Sequence, residues 1–229
     1  MAERKLNILS VEAHYDDAAF LWMGQLAQWM GAGHNVDSLV FTNSDGQGKS
    51  RLRMFEQRKM MDKVGMRHLY PVGMELNLPD GGLSLQHVQT MTPAFTYILD
   101  QAIANGQPYD KVVSFGPDAA TGHNDHFVTW QVIKSVFDNC ESYSQTWTEF
   151  WQVGLSPQQR KTWLPYFIPI PEQQVTNYLA VDITSQLTTK IAAVVCHDSQ
   201  LATGGSRHIE RLLQEKPPLE YFRIYARNE

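Results

Sequence analysis

The chain has 229 residues, with 19 Lys and Arg against 24 Asp and Glu, a net charge of −5, and 43% hydrophobic residues. Ten Phe, nine Tyr and six Trp supply the apolar area of a packed core, which excludes a disordered chain. The acidic balance argues against nucleic acid or an anionic membrane surface as partner, and two cysteines, Cys140 and Cys196, are too few for a disulfide framework, so a reducing, cytoplasmic setting is expected.

The charged start, Glu3-Arg4-Lys5, leads into an apolar run too short for a signal peptide or a membrane span. That run, residues 6–11, contains β-branched members and predicts a buried strand. A polar cluster, His14-Tyr15-Asp16-Asp17, follows it. Residues 20–30 predict a helix stopped at Gly31-Ala32-Gly33. Residues 35–42 predict a second strand, 43–50 a polar loop, 51–64 a helix closed by Gly65, and 66–72 a third strand. Pro79-Asp80-Gly81-Gly82 is a turn signal. Residues 85–104 have helical spacing, with Pro93 expected to kink or break the helix before Asn105-Gly106 ends it. A fourth strand is expected at 111–115, a Gly-containing loop at 116–125 and a helix at 126–138.

This repetition of strand, loop and helix predicts an α/β fold with a mostly parallel sheet between helices. Ligands in such folds sit beyond the carboxyl ends of the strands, where both His/Asp clusters fall. Residues 141–171, with Trp147, Trp151, Trp163 and Tyr166, predict an irregular aromatic insertion. It either covers the strand-end cleft, meets another subunit of a homo-oligomer, or simply connects two elements. Order resumes with a strand at 177–181, a helix at 185–195 and a strand at 221–225, and residues 1–229 are expected to form one domain.

His14 and Asp17, three positions apart on a tight loop, can face one metal ion and leave Asp16 free for a water. Asp17 could equally cap the following helix. In His123-Asn124-Asp125-His126, two histidines flank a carboxylate, which fits a metal site or a solvated polar loop. Taken together, the clusters lie on one rim of the sheet, and three ligands with an open fourth position is the catalytic arrangement.

The chain resembles the LmbE-like / PIG-L zinc-dependent deacetylase family. The family's Ala-His-Pro-Asp-Asp-Glu is matched by Ala13-His14-Tyr15-Asp16-Asp17-Ala18, and its Gly-His-Pro-Asp-His by Gly122-His123-Asn124-Asp125-His126. Its Arg-x-x-Glu helix is matched by Arg53, Glu56 and Gly65, and its closing Lys, Ala, His-x-Ser-Gln run by Lys190, Ala193, His197, Ser199 and Gln200. The resemblance implies a Rossmann-like three-layer sandwich. It implies Zn2+, or another divalent metal, on His14, Asp17 and His126. Asp16 would be general base and then acid, His123, as a cation, would stand beside the oxyanion, and Asp125 would orient a histidine. The implied reaction removes an acyl group, acetyl first, from an N-acetyl amino sugar or a related small conjugate. A metal-dependent hydratase or a thiol-conjugate amidase is the alternative. Tyr15 and Asn124 stand where the family has Pro, and Ala18 where it has Glu.

Three further residues are candidates for substrate contact. Arg53 holds a substrate oxygen or the first loop, or simply lies on its helix surface. Asp45, with Gln47, reaches a sugar hydroxyl or is solvated. Thr121 donates to the substrate carbonyl or packs its loop. His197 is expected as a core or supporting histidine, and the two cysteines as structural.

Overall fold

The computed structural model describes residues 4–46, 48–156, 158–159 and 178–227. Among the described residues, seven strands form one sheet: β1 (Asn7–Glu12), β2 (Asn35–Val40), β3 (Leu69–Tyr70), β4 (Lys111–Phe115), β5 (Glu149–Gly154), β6 (Leu179–Asp182) and β7 (Leu219–Ala226). Their order is β3-β2-β1-β4-β5-β7-β6. The first five are parallel, and β7 runs antiparallel to both β5 and β6. The expected α/β sandwich is therefore the fold, with one reversed strand, β7, between β5 and the edge strand β6.

Strand alternation sorts the core into two layers. Ile8, Val113, Phe115, Trp151 and Val153 pack beneath α1 (Asp17–Leu21), α2 (Met23–Gly31), α3 (Ser50–Val64) and, late in the chain, Ala193, Val194 and Cys196. Leu9, Val11, Val112 and Phe150 face the opposite layer. In chain order that layer includes α4 (Val72–Glu75), α5 (Val88–Ala104), and, beyond a short α6 (Ala119–Gly122), α7 (Asn124–Asn139). The chain closes with α8 (Leu187–Cys196) and α9 (Ser206–Gln214). No described helix is long and apolar enough to cross a membrane.

Several expectations change. The helix expected over 20–30 starts at Asp17 and is broken at Trp22, whose Nε1 turns inward to Ser10 Oγ at 2.9 Å. Pro93 does not break α5, because Met91, Phe95, Ile98 and Leu99 hold the helix on the sheet. The third strand shrinks to two residues, since Pro71 has no amide to extend the pairing. The loop expected at 116–125 contains α6 and the start of α7. Within the stretch read as irregular, Glu149–Gly154 is a sheet strand, and Trp147 and Trp151 are core residues. Trp163, Tyr166, Phe167 and the start of the expected 177–181 strand lie outside the described residues. Helix α9 was not expected from the sequence.

Two contacts brace the layers around the strand ends. Gly73 of α4 lies against the Thr42 backbone, where an added Cβ would come within 2.1 Å of the carbonyl carbon. This close approach presses the 76–84 loop onto the end of β2. On the other layer, Lys190 of α8 meets Glu220 of β7 at 2.6 Å, both buried. Glu220 also accepts the Gly24 and Gln25 amides at 2.8 Å each, which satisfies free donors at the start of α2. Lys190→Ala would leave that carboxylate buried without its cation. The variant is expected to lose about 3–5 kcal/mol of stability, read from urea unfolding. A loss below ~1 kcal/mol would show the brace to be dispensable.

Candidate metal centre

The site grows from the carboxyl ends of β1 and β4. After Glu12 the chain turns sharply through Ala13 and His14 into α1. Asp17 shapes that turn, with Oδ2 accepting the Ala13 amide at 3.0 Å and the His14 amide at 2.7 Å. Asp17 thus does not serve as an ordinary helix cap, and Asp16 at the N-cap position makes no capping bond either.

Acceptor atoms of three residues converge from the two clusters. Asp17 Oδ1 lies 3.1 Å from His126 Nε2, His14 Nδ1 lies 3.3 Å from His126 Nε2, and His14 Nδ1 lies 3.4 Å from Asp17 Oδ2. All three residues are buried. The far nitrogen of each ring is engaged elsewhere. His126 Nδ1 faces Ala119 O at 3.1 Å and Thr121 Oγ1 at 2.9 Å. His14 Nε2 faces Asp125 Oδ2 and Asp80 Oδ1, both at 3.2 Å. The far nitrogens therefore carry the protons, as acceptors surround them. Two imidazole lone pairs and a carboxylate then point at one another with no donor between them. That is unfavourable without a cation, and it fits one. Tetrahedral zinc with bonds of about 2.0–2.1 Å sets its ligand atoms roughly 3.3 Å apart. Phe115 stacks on the His126 ring at 3.9 Å and fixes its plane.

His14, His123 and Asp125 also come within ligating distance of one another. That group is the poorer host, because both Asp125 oxygens are already used. Oδ2 accepts the Gly81 amide at 2.7 Å and Oδ1 the Leu83 amide at 3.0 Å. Asp125 therefore joins the His14 ring to the 81–83 turn.

Around this centre the remaining candidates separate. Arg53 donates to Asp16 Oδ1 at 2.8 Å and to Asp80 Oδ2 at 3.0 Å, so its guanidinium ties the first loop to the turn at Asp80. Thr121 Oγ1 supports His126. Asp45 is exposed on the rim with its side chain in solvent, and Gln47 lies outside the described residues. His123 caps α7, its Nδ1 accepting the Asp125 amide at 3.2 Å. Burial, followed by the nearby His126 and His14, lowers its pKa. His123 is thus a neutral ring with its proton on Nε2, not the cation expected from the sequence. His197 is fully buried, with neither ring nitrogen partnered.

Sequence reasoning passed over two acids. Asp80 was read only as part of a turn, yet it contacts His14 and Arg53 and accepts the Gly46 amide at 3.1 Å. Burial would raise its pKa, but His14, Gly46 and Arg53 draw it down to about 2. The signal was an acid in a Gly-rich turn following the third strand. Glu12 ends β1 wholly buried, between the hydroxyls of Ser10 and Ser38 and the Gln57 amide. Burial pushes its pKa up to about 8.

Burial alone would lower the His14 pKa, but the carboxylates of Asp17, Asp125 and Asp80 outweigh it and hold it well above the ordinary histidine value. Without metal, His14 then carries a proton at neutral pH. A raised folded pKa gives stability that is fully present below the unfolded value of about 6.5 and is lost as pH rises through the folded one. In chelator, urea midpoints are therefore expected to fall from pH 6.5 upward, and His14→Gln to flatten that slope. Metal at the site displaces the same proton, so its apparent affinity is expected to weaken as pH drops. A pH-independent affinity would show that His14 does not bind it.

The sequence profile of the family described as PIG-L, GlcNAc-PI de-N-acetylase, matches residues 9–137, more than half of the chain. No curated protein matches. Several solved structures share the fold. The N,N'-diacetylchitobiose deacetylase of Pyrococcus horikoshii is 18% identical with a TM-score of 0.64, over 96% of this chain and 84% of that one. A triple mutant of the deacetylase of the teicoplanin biosynthetic pathway is 14% identical with a TM-score of 0.71, over 97% and 99%. A zinc-inhibited form of teicoplanin deacetylase is 13% identical with a TM-score of 0.65, over 97% and 99%. The 4-carboxy-2-hydroxymuconate hydratase of Pseudomonas putida is 13% identical with a TM-score of 0.63, over 96% and 95%.

Proposed function

We propose that this chain, which belongs to the PIG-L family, is a zinc-dependent N-deacetylase that removes an acetyl group from an amino sugar or a related small conjugate. It works as a single domain, with a small molecule as its substrate. The carrying observation is a spare carboxylate, Asp16, next to three converging acceptors that need a cation.

His14, Asp17 and His126 would hold the zinc. When bound there, the ion supplies a Lewis acid that polarises the amide carbonyl and makes water easier to deprotonate. Asp16 takes the proton of the attacking water and returns it to the departing amine. Arg53, clamped on Oδ1, leaves Oδ2 of Asp16 for that work and fixes its direction. His123 donates its Nε2 proton to the oxygen that gains charge as the carbonyl carbon becomes tetrahedral. A neutral donor suffices for this, and the Asp125 amide on Nδ1 keeps the needed tautomer. Asp125 and Asp80 hold the proton on the far side of His14, and Ala119 and Thr121 do so for His126.

The test is a metal-defined assay of acetate and free amine released from a panel of N-acetyl amino sugar conjugates. Several divalent ions belong in it, because a relative is described in a zinc-inhibited form. Asp16→Asn is expected to lose about 10²–10⁴ in kcat with its metal content unchanged. His123→Ala is expected to lose on the order of 10²–10³. A fully active Asp16→Asn protein, or activity indifferent to chelator, would refute the reading. The hydratase with the same fold supports a second reading, addition of water to an unsaturated acid. It predicts no acetate and a loss of conjugated ultraviolet absorbance.

A further inference from the structure

The carbonyl that holds His126 belongs to a backbone segment that cannot keep its shape unaided. Ala119 and Ala120 have φ of 56° and 52°, and Gly122 has 76°. Ala120 combines its positive φ with ψ of −54°, outside the left-handed helical well. Non-glycine residues persist in such conformations only where neighbours over-determine them. Yet Ala119 O, in the middle of this strain, must meet His126 Nδ1 at 3.1 Å.

The restraint comes from Asp118. Its Oδ1 accepts the Ala120 amide at 3.0 Å, and its Oδ2 accepts the Tyr178 hydroxyl at 3.1 Å. Tyr178 enters from the far part of the sheet, immediately before β6. Its ring lies directly on Gly154, the last residue of β5, where an added Cβ would approach Cε1 to 2.2 Å. Arg223 of β7 covers the ring, its guanidinium carbon 5.7 Å from the centroid. Gly154 is thus the seat, Tyr178 the strut and Asp118 the clamp of the strained turn. A hydroxyl is needed at the end of the strut, because the buried Asp118 oxygen faces it.

We infer that Tyr178 and Asp118 are positioning residues for the metal centre: through the Ala119–Gly122 turn they fix the proton on His126 Nδ1 and aim Nε2 at the cation. This rests on the proposed metal site. It extends the site's support to the β7-β6 edge of the sheet, 52 positions and more beyond His126, a region that carries none of the proposed metal donors.

The experiment measures zinc binding to the full chain, stripped and titrated against a chromophoric chelator. Tyr178→Phe keeps the ring on Gly154 and removes only the hydroxyl. It is expected to weaken zinc by about tenfold or more, while the unfolding temperature of the metal-free protein stays near wild type. The visible bands of the cobalt(II)-loaded protein are expected to shift, since they report ligand directions that a purely structural role would leave alone. Asp118→Ser, which removes the clamp but not the strut, should repeat both effects. Asp118→Asn, whose amide can still accept from Ala120 and donate to the Tyr178 oxygen, should restore most of the affinity. Wild-type zinc affinity and cobalt bands in Tyr178→Phe and Asp118→Ser would overturn the inference and leave the metal site standing. A wild-type chain that binds no zinc would remove the metal site and the inference together.

Discussion

Two imidazole nitrogens and a carboxylate that share one buried point, and need a proton or a cation between them, set the terms for the rest of this structure. Bringing two imidazole lone pairs and a carboxylate to within 3.1–3.4 Å of each other costs free energy until a cation or a proton arrives. The fold keeps them there by occupying every other polar atom of the same side chains. Asp17 is held by two backbone amides, His14 by two carboxylates, and His126 by a carbonyl and a hydroxyl. The site is therefore arranged before any cation arrives.

That arrangement explains why so many elements end at one place. Arg53 of α3 binds both Asp16 and Asp80, joining the loop after β1 to the turn after α4. Asp125 then joins the same turn to His14 from the side of α7. Four separate chain segments are cross-linked by charge-assisted hydrogen bonds in a region with little solvent. Such bonds are worth more there than at the surface, and each lost partner leaves a buried charge behind. The lower layer adds its own link, as Glu56 receives the Ser199 amide and hydroxyl at 2.7 and 2.6 Å.

The sequence reveals those parts whose physics is local. Strand β4 was expected at its observed limits, because Lys111–Phe115 is a short apolar run between polar turns. The His/Asp clusters were legible because ligand types at tight spacing have few other uses. Strand β5 was obscured because its Trp-rich, Gln-containing sequence departs from the pattern of a buried parallel strand, and only pairing with β4 and β7 reveals it. Asp80 was missed for a related reason. Nothing in Pro79-Asp80-Gly81-Gly82 says that the turn will fold onto a histidine 66 positions earlier. The neutral state of His123 was equally out of reach, since it depends on burial and on two neighbouring rings.

The departures from the family's usual residues follow the same logic. A proline stiffens a loop by restricting the unfolded chain, but it offers no amide. Tyr15 replaces one such proline, and its amide now donates to Ser44 Oγ at 3.2 Å, pinning the first loop to the end of β2. Asn124 replaces the other, and its side-chain amide donates to Leu83 O, pinning the second loop to the turn that carries Asp80. Stiffness given up in the unfolded chain is thus offset by hydrogen bonds in the folded one. Ala18 stands in place of a glutamate and is wholly buried against the core, where an ionised side chain would find no water. Glu12 instead brings a buried carboxyl near that turn from the strand, where it accepts from two hydroxyls and an amide. The three residues proposed to hold the metal, His14, Asp17 and His126, are untouched by all three changes, so on that reading any altered specificity arises in how the loops meet the substrate.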